Sequence, residues 1–269
     1  MFSGKIAVIA GGSTGLGLEI ARAFASRGAQ VVLLARNQQR LDDAVAAISE
    51  TDHQTSVTAI SVDLCQEEAT RAVVAQISEQ MGQIDFWVNA VGQSIRTSFA
   101  DCGLEKYREL MEQNFFASVN SSLAAMPELE RTGGSLVNIG SLAAKTAWPF
   151  LAPYVTSKHA LAGFAKQIRL EGPENVHYLF LCPGPIASLK NEVSDRYNDQ
   201  TANLPESAKK PGGGAPVKAI DPKWLAEQIL VSCEKRRCEL VVPFKSRLLF
   251  LAGELWPNYA NKLIRRFSR

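Results

Sequence analysis

Seven short apolar runs recur along the chain, and amphipathic stretches separate them. The runs are near-continuous and rich in β-branched residues, which is typical of strands buried on both faces of a parallel sheet. We predict strands at Ile6–Ala10, Val31–Leu34, Val57–Val62, Phe86–Ala90, Leu136–Ile139, Val176–Cys182 and Leu240–Val242. Apolar residues at helical spacing predict helices at Leu16–Arg27, Gln38–Glu50, Glu67–Met81, Leu104–Leu123, Leu151–Leu170 and Pro222–Lys235. This alternation predicts one doubly wound α/β domain, residues 1–243, with a seven-stranded parallel sheet and helices on both faces.

One connection is much longer than the others. Residues 190–220, between the sixth and seventh predicted strands, are polar and rich in Gly and Pro. A connection of this length inside a compact domain is usually functional or disordered. We expect it to lie over a cleft.

The C-terminal extension, residues 244–269, follows the last predicted strand and is not expected to form an independent domain. Leu255, Tyr259 and Leu263 recur at helical spacing, and Pro257 is expected to break the helix. The extension carries six basic residues and one acidic residue, a charge of +5. An aromatic-rich, basic, amphipathic end is typical of an interfacial membrane anchor. A helix that covers its own core or a partner subunit has the same periodicity, so both interpretations stay open.

The composition narrows the class of protein. The chain has 269 residues, 46% of them hydrophobic, which suits one large domain. Its net charge of only +2 gives no reason to expect nucleic-acid binding. Five cysteines and three histidines show no metal-ligand spacing, so we expect free thiols in a reducing, cytoplasmic compartment and no metal site. No run approaches the ~20 apolar residues that span a bilayer, so we expect any membrane contact to be peripheral.

A glycine-rich turn, Gly11-Gly12-Ser13-Thr14-Gly15-Leu16-Gly17, directly follows the first predicted strand and opens the first helix. Gly11 permits a tight turn, while Gly15 and Gly17 let a pyrophosphate approach the backbone at the positive end of the helix dipole. This context predicts a dinucleotide site in a Rossmann-type domain.

The end of the second strand indicates which dinucleotide is preferred. Cofactors without a 2′-phosphate are usually held by an acidic side chain at this edge. Here Ala35 takes that place, and Arg36 offers a guanidinium to a 2′-phosphate, so NADP(H) is favoured over NAD(H). Asp63, at the end of the third strand, is placed to meet the adenine, or to cap the helix that begins near Gln66.

Tyr154 and Lys158 stand four residues apart on one predicted helix, and Ser141 precedes the tyrosine by thirteen residues. Residues at this helical spacing share a face, about 5–6 Å apart at Cβ. A nearby ammonium favours the ionised phenol and lowers its pKa. Such a tyrosine can give a proton to a carbonyl oxygen, or take one from an alcohol, near neutral pH.

With these elements in place, the chain resembles the short-chain dehydrogenase/reductase family over essentially its full length. The glycine turn resembles the family's Thr-Gly-x3-Gly-x-Gly motif, and Val88–Gly92 stands where the family has Asn-Asn-Ala-Gly. Asn114 falls on the fourth large helix, at the place of the family's active-site asparagine. The segment Pro183–Ser188 resembles a Pro-Gly segment whose later hydroxyl meets the nicotinamide carboxamide. Gly-Gly-Ser at positions 11–13 and Ala-Arg-Asn at positions 35–37 resemble the branch that acts on lipid-like ketones, such as 3-ketodihydrosphingosine reductases and hydroxysteroid dehydrogenases.

The resemblance implies roles for four residues. Tyr154 is the acid/base, Lys158 lowers its pKa and holds the nicotinamide ribose, Ser141 polarises the substrate carbonyl, and Asn114 holds a water. It implies cofactor contacts from Gly11, Ser13, Thr14, Gly15, Leu16, Gly17, Arg36, Asn37, Asp63, Leu64, Asn89, Ala90, Tyr154, Lys158, Pro183, Gly184, Ile186 and Ser188.

Three positions depart from the family pattern. Ala10 and Ala90 replace a threonine and an asparagine beside the adenine site, and Ser188 replaces a threonine but keeps the hydroxyl. None of these changes removes a proton-transfer group.

The sequence therefore predicts an NADPH-preferring oxidoreductase that interconverts a carbonyl and a secondary alcohol on a hydrophobic small molecule. A 3-oxoacyl thioester reductase is the alternative enzyme, and a non-catalytic NADP-binding regulatory or scaffold protein is the alternative of another class. Specificity is expected in Ile95–Phe99, Leu142–Leu151 and residues 190–220. Family habit implies a homodimer or homotetramer.

Overall fold

A computed structural model describes residues 2–50, 56–187, 204–209 and 217–267. Seven parallel strands form one sheet in the order β3-β2-β1-β4-β5-β6-β7. They are β1 Ile6–Ala10, β2 Gln30–Ala35, β3 Val57–Ser61, β4 Phe86–Asn89, β5 Ser135–Ile139, β6 His177–Pro183 and β7 Glu239–Val242. The predicted fold class and all seven strands are confirmed, with strand bounds within one residue.

Helices cover both faces of the sheet. They are α1 Gly15–Ala25, α2 Gln38–Ser49, α3 Glu67–Met81, α4 Leu104–Met111, α5 Ala117–Thr132, α6 Ala152–Glu171, the short α7 Glu206–Lys209 and α8 Pro222–Glu234. One apolar core lies between the sheet and α1, α2 and α8, and a second lies between the sheet and α3 and α5. Strand β1 is flanked by β2 and β4, so the chain reverses its direction of winding there. In such sheets a crevice opens at the carboxyl ends of the strands around this reversal.

The fourth predicted helix differs from the structure in its end and in its regularity. We predicted Leu104–Leu123, but the helical path continues to Thr132, where Gly133 in the left-handed conformation ends it. Pro127 lies inside α5, although proline normally breaks helices. Between α4 and α5 the backbone forms a π-helical turn, Glu112–Phe116, which carries Asn114. Such turns occur often at functional sites.

The C-terminal extension forms two helices, α9 Ser246–Leu255 and α10 Pro257–Phe267. The chain bends at Trp256, and Pro257 begins the second helix, as predicted. In the described part of the chain, no helix combines the length and apolar character that crossing a bilayer requires.

Candidate active site and cofactor cleft

A large cleft of about 960 Å³ lies at the carboxyl ends of the strands. The glycine turn and the ends of β2 and β3 line one end of it. The loop after β5, the start of α6, the segment after β6 and the C-terminal helices line the other end. We call this space the cleft. Its volume lies near the top of the range typical for ligand sites, which suits a dinucleotide together with a substrate.

The glycine turn is shaped for close approach of a ligand to the backbone. Gly11 has a φ of +84°, and a Cβ added there would lie 2.8 Å from the carbonyl carbon and oxygen of Ala90. A Cβ at Gly17 would overlap the carbonyl oxygen of Gly11, so α1 can pack this tightly on the turn only with glycine. The turn and the first residues of α1 line the cleft. A helix N-terminus in this position binds anionic groups well.

Polar side chains gather where β2 and β3 end. Arg36, Asn37 and Asp63 line the cleft, as does Arg40 in the first turn of α2, and the apolar Leu64 lines it beside Asp63. The Asn37 side chain caps α2 by accepting a hydrogen bond from the Arg40 backbone N–H at 2.9 Å.

Asp63 does not cap the next helix. Its carboxylate accepts a hydrogen bond from the Cys65 backbone N–H at 3.1 Å, and Gln66 is the N-cap of α3. Asp63 lines the cleft, and its contact with the adenine stays a prediction.

The cleft is lined by Ser141, Tyr154 and Lys158, and the glycine turn lines the same cleft. The Ser141 side chain accepts a hydrogen bond from the Ala143 backbone N–H at 3.1 Å, which fixes the turn after β5. The Lys158 ammonium lies 6.0 Å from the centre of the Tyr154 ring and donates a hydrogen bond to the Ile139 carbonyl at 2.9 Å. Burial lowers the pKa of Lys158 to about 8.

Asn114 and Asn89 lie behind the cleft wall rather than on it. Asn114 is fully buried. Its amide accepts from the Gln93 N–H at 2.8 Å, and donates to the Gln93 carbonyl and to the Ser157 hydroxyl at 2.9 Å each. Asn89 is also buried, and its amide donates to Asn138 at 2.9 Å and accepts from Trp87 at 2.9 Å. Both side chains join elements of the wall and are absent from the cleft lining. The cofactor contact expected of Asn89 and the water expected at Asn114 stay predictions.

The remaining predicted cofactor residues reach the cleft with one exception. Ala90, Pro183, Gly184 and Ile186 line it together with the residues described above. Ser188 lies outside the described residues.

Three groups of cleft residues were not predicted from the sequence. Arg40 stands four residues after Arg36, in the first turn of the helix that follows β2, and a second cation so close to Arg36 is a signal that could have found it. Arg96 is buried, and its guanidinium donates to the Ala208 carbonyl at 3.2 Å, which ties the loop after β4 to α7. Nothing in the sequence linked Arg96 to Ala208, which is 112 residues away in the chain. The third group comes from α9 and α10, which line the cleft although we predicted no specificity residues there.

Comparison with known proteins agrees with this geometry. The short chain dehydrogenase family matches residues 5–198. Dehydrogenase/reductase SDR family member 7B of Danio rerio is 28% identical over 260 residues, covering 94% of this chain and 82% of that protein. The 11-beta-hydroxysteroid dehydrogenase 1A of Arabidopsis thaliana is 31% identical over 69% of this chain and 53% of that protein.

A solved structure shares the fold. The alcohol dehydrogenase of the archaeon Thermococcus sibiricus, complexed with 5-hydroxy-NADP, superimposes with a TM-score of 0.73 at 22% identity, covering 88% of this chain and 95% of that one. The chain therefore belongs to the short-chain dehydrogenase family, whose members are NAD(P)-dependent oxidoreductases acting on carbonyls and alcohols.

Proposed function

We propose that this oxidoreductase prefers NADPH and interconverts a ketone and a secondary alcohol on a hydrophobic substrate. The observation that carries the proposal is the meeting of Ser141, Tyr154 and Lys158 in the same cleft as the glycine turn and Arg36. When bound, the nicotinamide cofactor supplies or accepts the hydride. The protein must supply the proton, and these side chains are the acid–base groups placed to do so.

Tyr154 is the proposed proton donor in reduction. Its phenol gives the proton to the substrate oxygen, and in oxidation the phenolate takes that proton back. The Lys158 cation stabilises the phenolate because the ammonium lies close to the ring in a buried site. Below a pH of about 8 this ammonium keeps its charge, so the stabilisation is present at neutral pH.

Ser141 is proposed to orient the substrate carbonyl. Its oxygen already accepts a hydrogen bond from the Ala143 N–H, which leaves the hydroxyl hydrogen to donate toward the cleft. A donor aimed at the oxygen where charge develops lowers the barrier to the reaction.

Asn114 is proposed as a positioning residue. Through Gln93 and Ser157 its amide joins the loop after β4 to the helix that carries Tyr154 and Lys158. A Cβ placed on Gly92 would lie 2.7 Å from the Asn114 amide oxygen and 3.4 Å from the Lys158 ammonium, so these groups are packed against one another. A water held near Asn114 would connect Lys158 to solvent.

The preference for NADPH rests on two arginines. Arg36 and Arg40 both line the end of the cleft beyond the glycine turn, where a 2′-phosphate would lie. Paired guanidinium groups bind a phosphate through charge-assisted hydrogen bonds. The solved structure that shares this fold was obtained with an NADP analogue.

The proposal of a hydrophobic substrate rests on the cleft wall beyond Tyr154. Leu142, Trp148, Leu151, Phe250 and Leu263 line this end. Leu142, Trp148 and Leu151 fall in one of the segments expected to set specificity. The relative from Arabidopsis is named for a steroid substrate, which is likewise largely hydrocarbon.

A ketone panel tests the reaction and separates it from the alternatives. NADPH and NADH consumption are measured with cyclic, aliphatic and aromatic ketones and with a 3-oxoacyl thioester. We expect turnover of apolar ketones, faster with NADPH. Turnover of the thioester alone would favour the alternative enzyme. NADPH binding without turnover of any of these would favour the regulatory or scaffold protein.

Assembly and location are further parts of the proposal. We propose a homodimer or homotetramer, supported by Phe116, Leu123 and Leu170, whose side chains are 46%, 59% and 78% exposed. We propose residues 1–243 as the catalytic domain of a cytoplasmic enzyme, and residues 244–269 as an extension that contacts a membrane surface peripherally. Measuring the mass in solution by light scattering tests the assembly.

A further inference from the structure

The outer surface of α9 is apolar and has no covering element among the described residues. Leu248, Leu251 and Leu255 lie three and four positions apart, on one stripe, and are 70%, 57% and 58% exposed. Phe244 before this helix and Trp256 after it are 73% and 62% exposed. Contiguous apolar patches of this kind usually mark a protein or membrane contact.

The inner surface of the same two helices is a wall of the cleft. Phe250, Gly253, Leu263 and Ile264 line it from α9 and α10. The base of α9 is held on the sheet because Arg247 pairs with Glu239 at 3.3 Å. The pair formed by α9 and α10 therefore has one apolar face toward the candidate active site and a second apolar face, on α9, toward the outside.

Two residues belong to both surfaces. Leu249 and Tyr259 line the cleft, yet they are 60% and 69% exposed. They therefore stand at a mouth of the cleft, one on each helix. Apolar surface continues through this mouth from the outer stripe to the cleft wall.

The charge around this surface selects among its occupants. Lys245, Lys262, Arg265 and Arg266 are exposed, and Glu254 is the acidic residue of the described extension. A two-fold contact through these helices would bring two extensions of net positive charge together, and like charges repel. Anionic lipid offers both a hydrocarbon phase for the leucine stripe and negative charge for the basic residues.

We propose that α9 and α10 lie on an anionic membrane surface and form a portal. Through it a long-chain ketone or alcohol passes from the lipid directly into the cleft, between Leu249 and Tyr259. This rests on the ketone reaction proposed above and assigns the substrate to long-chain membrane amphiphiles. The hydrocarbon chain stays in the apolar mouth while its carbonyl reaches Tyr154.

The test compares one reaction with two sources of substrate. The first is the best water-soluble ketone of the panel, and the second is a long-chain alkyl ketone embedded in mixed phosphatidylcholine–phosphatidylserine vesicles. Two double variants of the full-length protein are compared with the wild type. The first is Lys262→Gln with Arg266→Gln, and the second is Leu248→Gln with Leu251→Gln. None of these four side chains lines the cleft. Matched controls are Lys223→Gln with Lys235→Gln, and Leu104→Gln, all exposed outside the extension. Vesicle binding is followed by co-sedimentation, independently of turnover.

We expect both extension variants to keep kcat/KM on the soluble ketone within about twofold, and to lose most turnover of the vesicle ketone. Neutralising two cations should weaken binding to anionic vesicles by roughly 30-fold. The controls should match the wild type on both substrates, and pure phosphatidylcholine vesicles should bind the wild type weakly.

Other results overturn the portal. It is wrong if the extension variants reduce the vesicle ketone as well as the wild type does. It is also wrong if the wild type does not sediment with anionic vesicles and the leucine variant has a different oligomeric mass from the wild type. That result would mean that a second copy of the chain covers the leucine stripe. Wild-type enzyme that sediments but reduces neither ketone would overturn the ketone reaction and the portal with it.

Discussion

Replacing Asn114 with alanine tests the inference that this residue positions the site from behind the cleft wall. The substitution removes three hydrogen bonds at 2.8–2.9 Å. Ser157 keeps a bond from its hydroxyl to the Tyr154 carbonyl at 2.8 Å, but the Gln93 N–H and carbonyl lose the partners that the Asn114 amide gave them. The Gln93 groups are partly buried, and at about 1–3 kcal/mol for each polar group left unpaired we expect a loss of about 3 kcal/mol in unfolding free energy. That is a large part of the ~5–15 kcal/mol typical of a whole protein.

Thermal and urea denaturation measure this loss. A change of about 3 kcal/mol should lower Tm by roughly 6–12 °C in a protein of this size. Asn120→Ala is the matched control, because its partly exposed amide donates only to the Leu64 carbonyl and the Thr70 hydroxyl, at 2.9 and 3.2 Å. Turnover should fall in Asn114→Ala with little change in NADPH affinity. Equal destabilisation by the two substitutions, or unchanged turnover in Asn114→Ala, would refute the positioning role.

Two further predictions concern the cofactor and the pH profile. Arg36→Ala should weaken the binding of NADPH by roughly 10- to 150-fold and leave the binding of NADH nearly unchanged, because only NADPH loses a charge-assisted contact. Gly17→Ala should weaken the binding of both cofactors alike, and fluorescence titrations with NADPH and with NADH measure these affinities. If Arg36→Ala, like Gly17→Ala, weakens the binding of both cofactors equally, the case for NADPH is removed. The kcat/KM for reduction should fall as pH rises through about 8, because Lys158 then loses its proton and its charge. A flat profile across that pH would contradict the charged role of Lys158.

The sheet could be predicted from the sequence because buried parallel strands leave a strong local signal. Each predicted run of apolar residues corresponds to one observed strand. The end of the fourth helix could not be predicted in this way. The predicted helix ended at Leu123, but packing of Ala125 and Leu129 in the second core extends the helical path to Thr132.

The candidate site was predictable where a short motif carries the chemistry. The glycine turn and the Tyr154–Lys158 pair are local, and the structure brings them to one cleft with Ser141. The position of Asn89 was not predictable, because its neighbours Ser122 and Asn138 are 33 and 49 residues away in the chain.

The two interpretations of the C-terminal extension show a limit of periodicity. An apolar face has the same spacing whether lipid or protein covers it. In the structure, Leu263 lines the cleft while Leu248 is exposed, so the extension has two different apolar surfaces. Both interpretations stay predictions.

Replacing Tyr154 with phenylalanine tests the central claim most directly. The substitution removes the proposed proton donor and keeps the ring. Tyr178→Phe is the matched control, because its hydroxyl donates to the Pro173 carbonyl at 3.2 Å and its side chain does not line the cleft. With the best ketone of the panel, Tyr154→Phe should lower kcat by roughly 10²–10⁴ while NADPH still binds, and Tyr178→Phe should keep its turnover. A Tyr154→Phe enzyme that retains most of its reductase activity would contradict the assignment of Tyr154 as the acid.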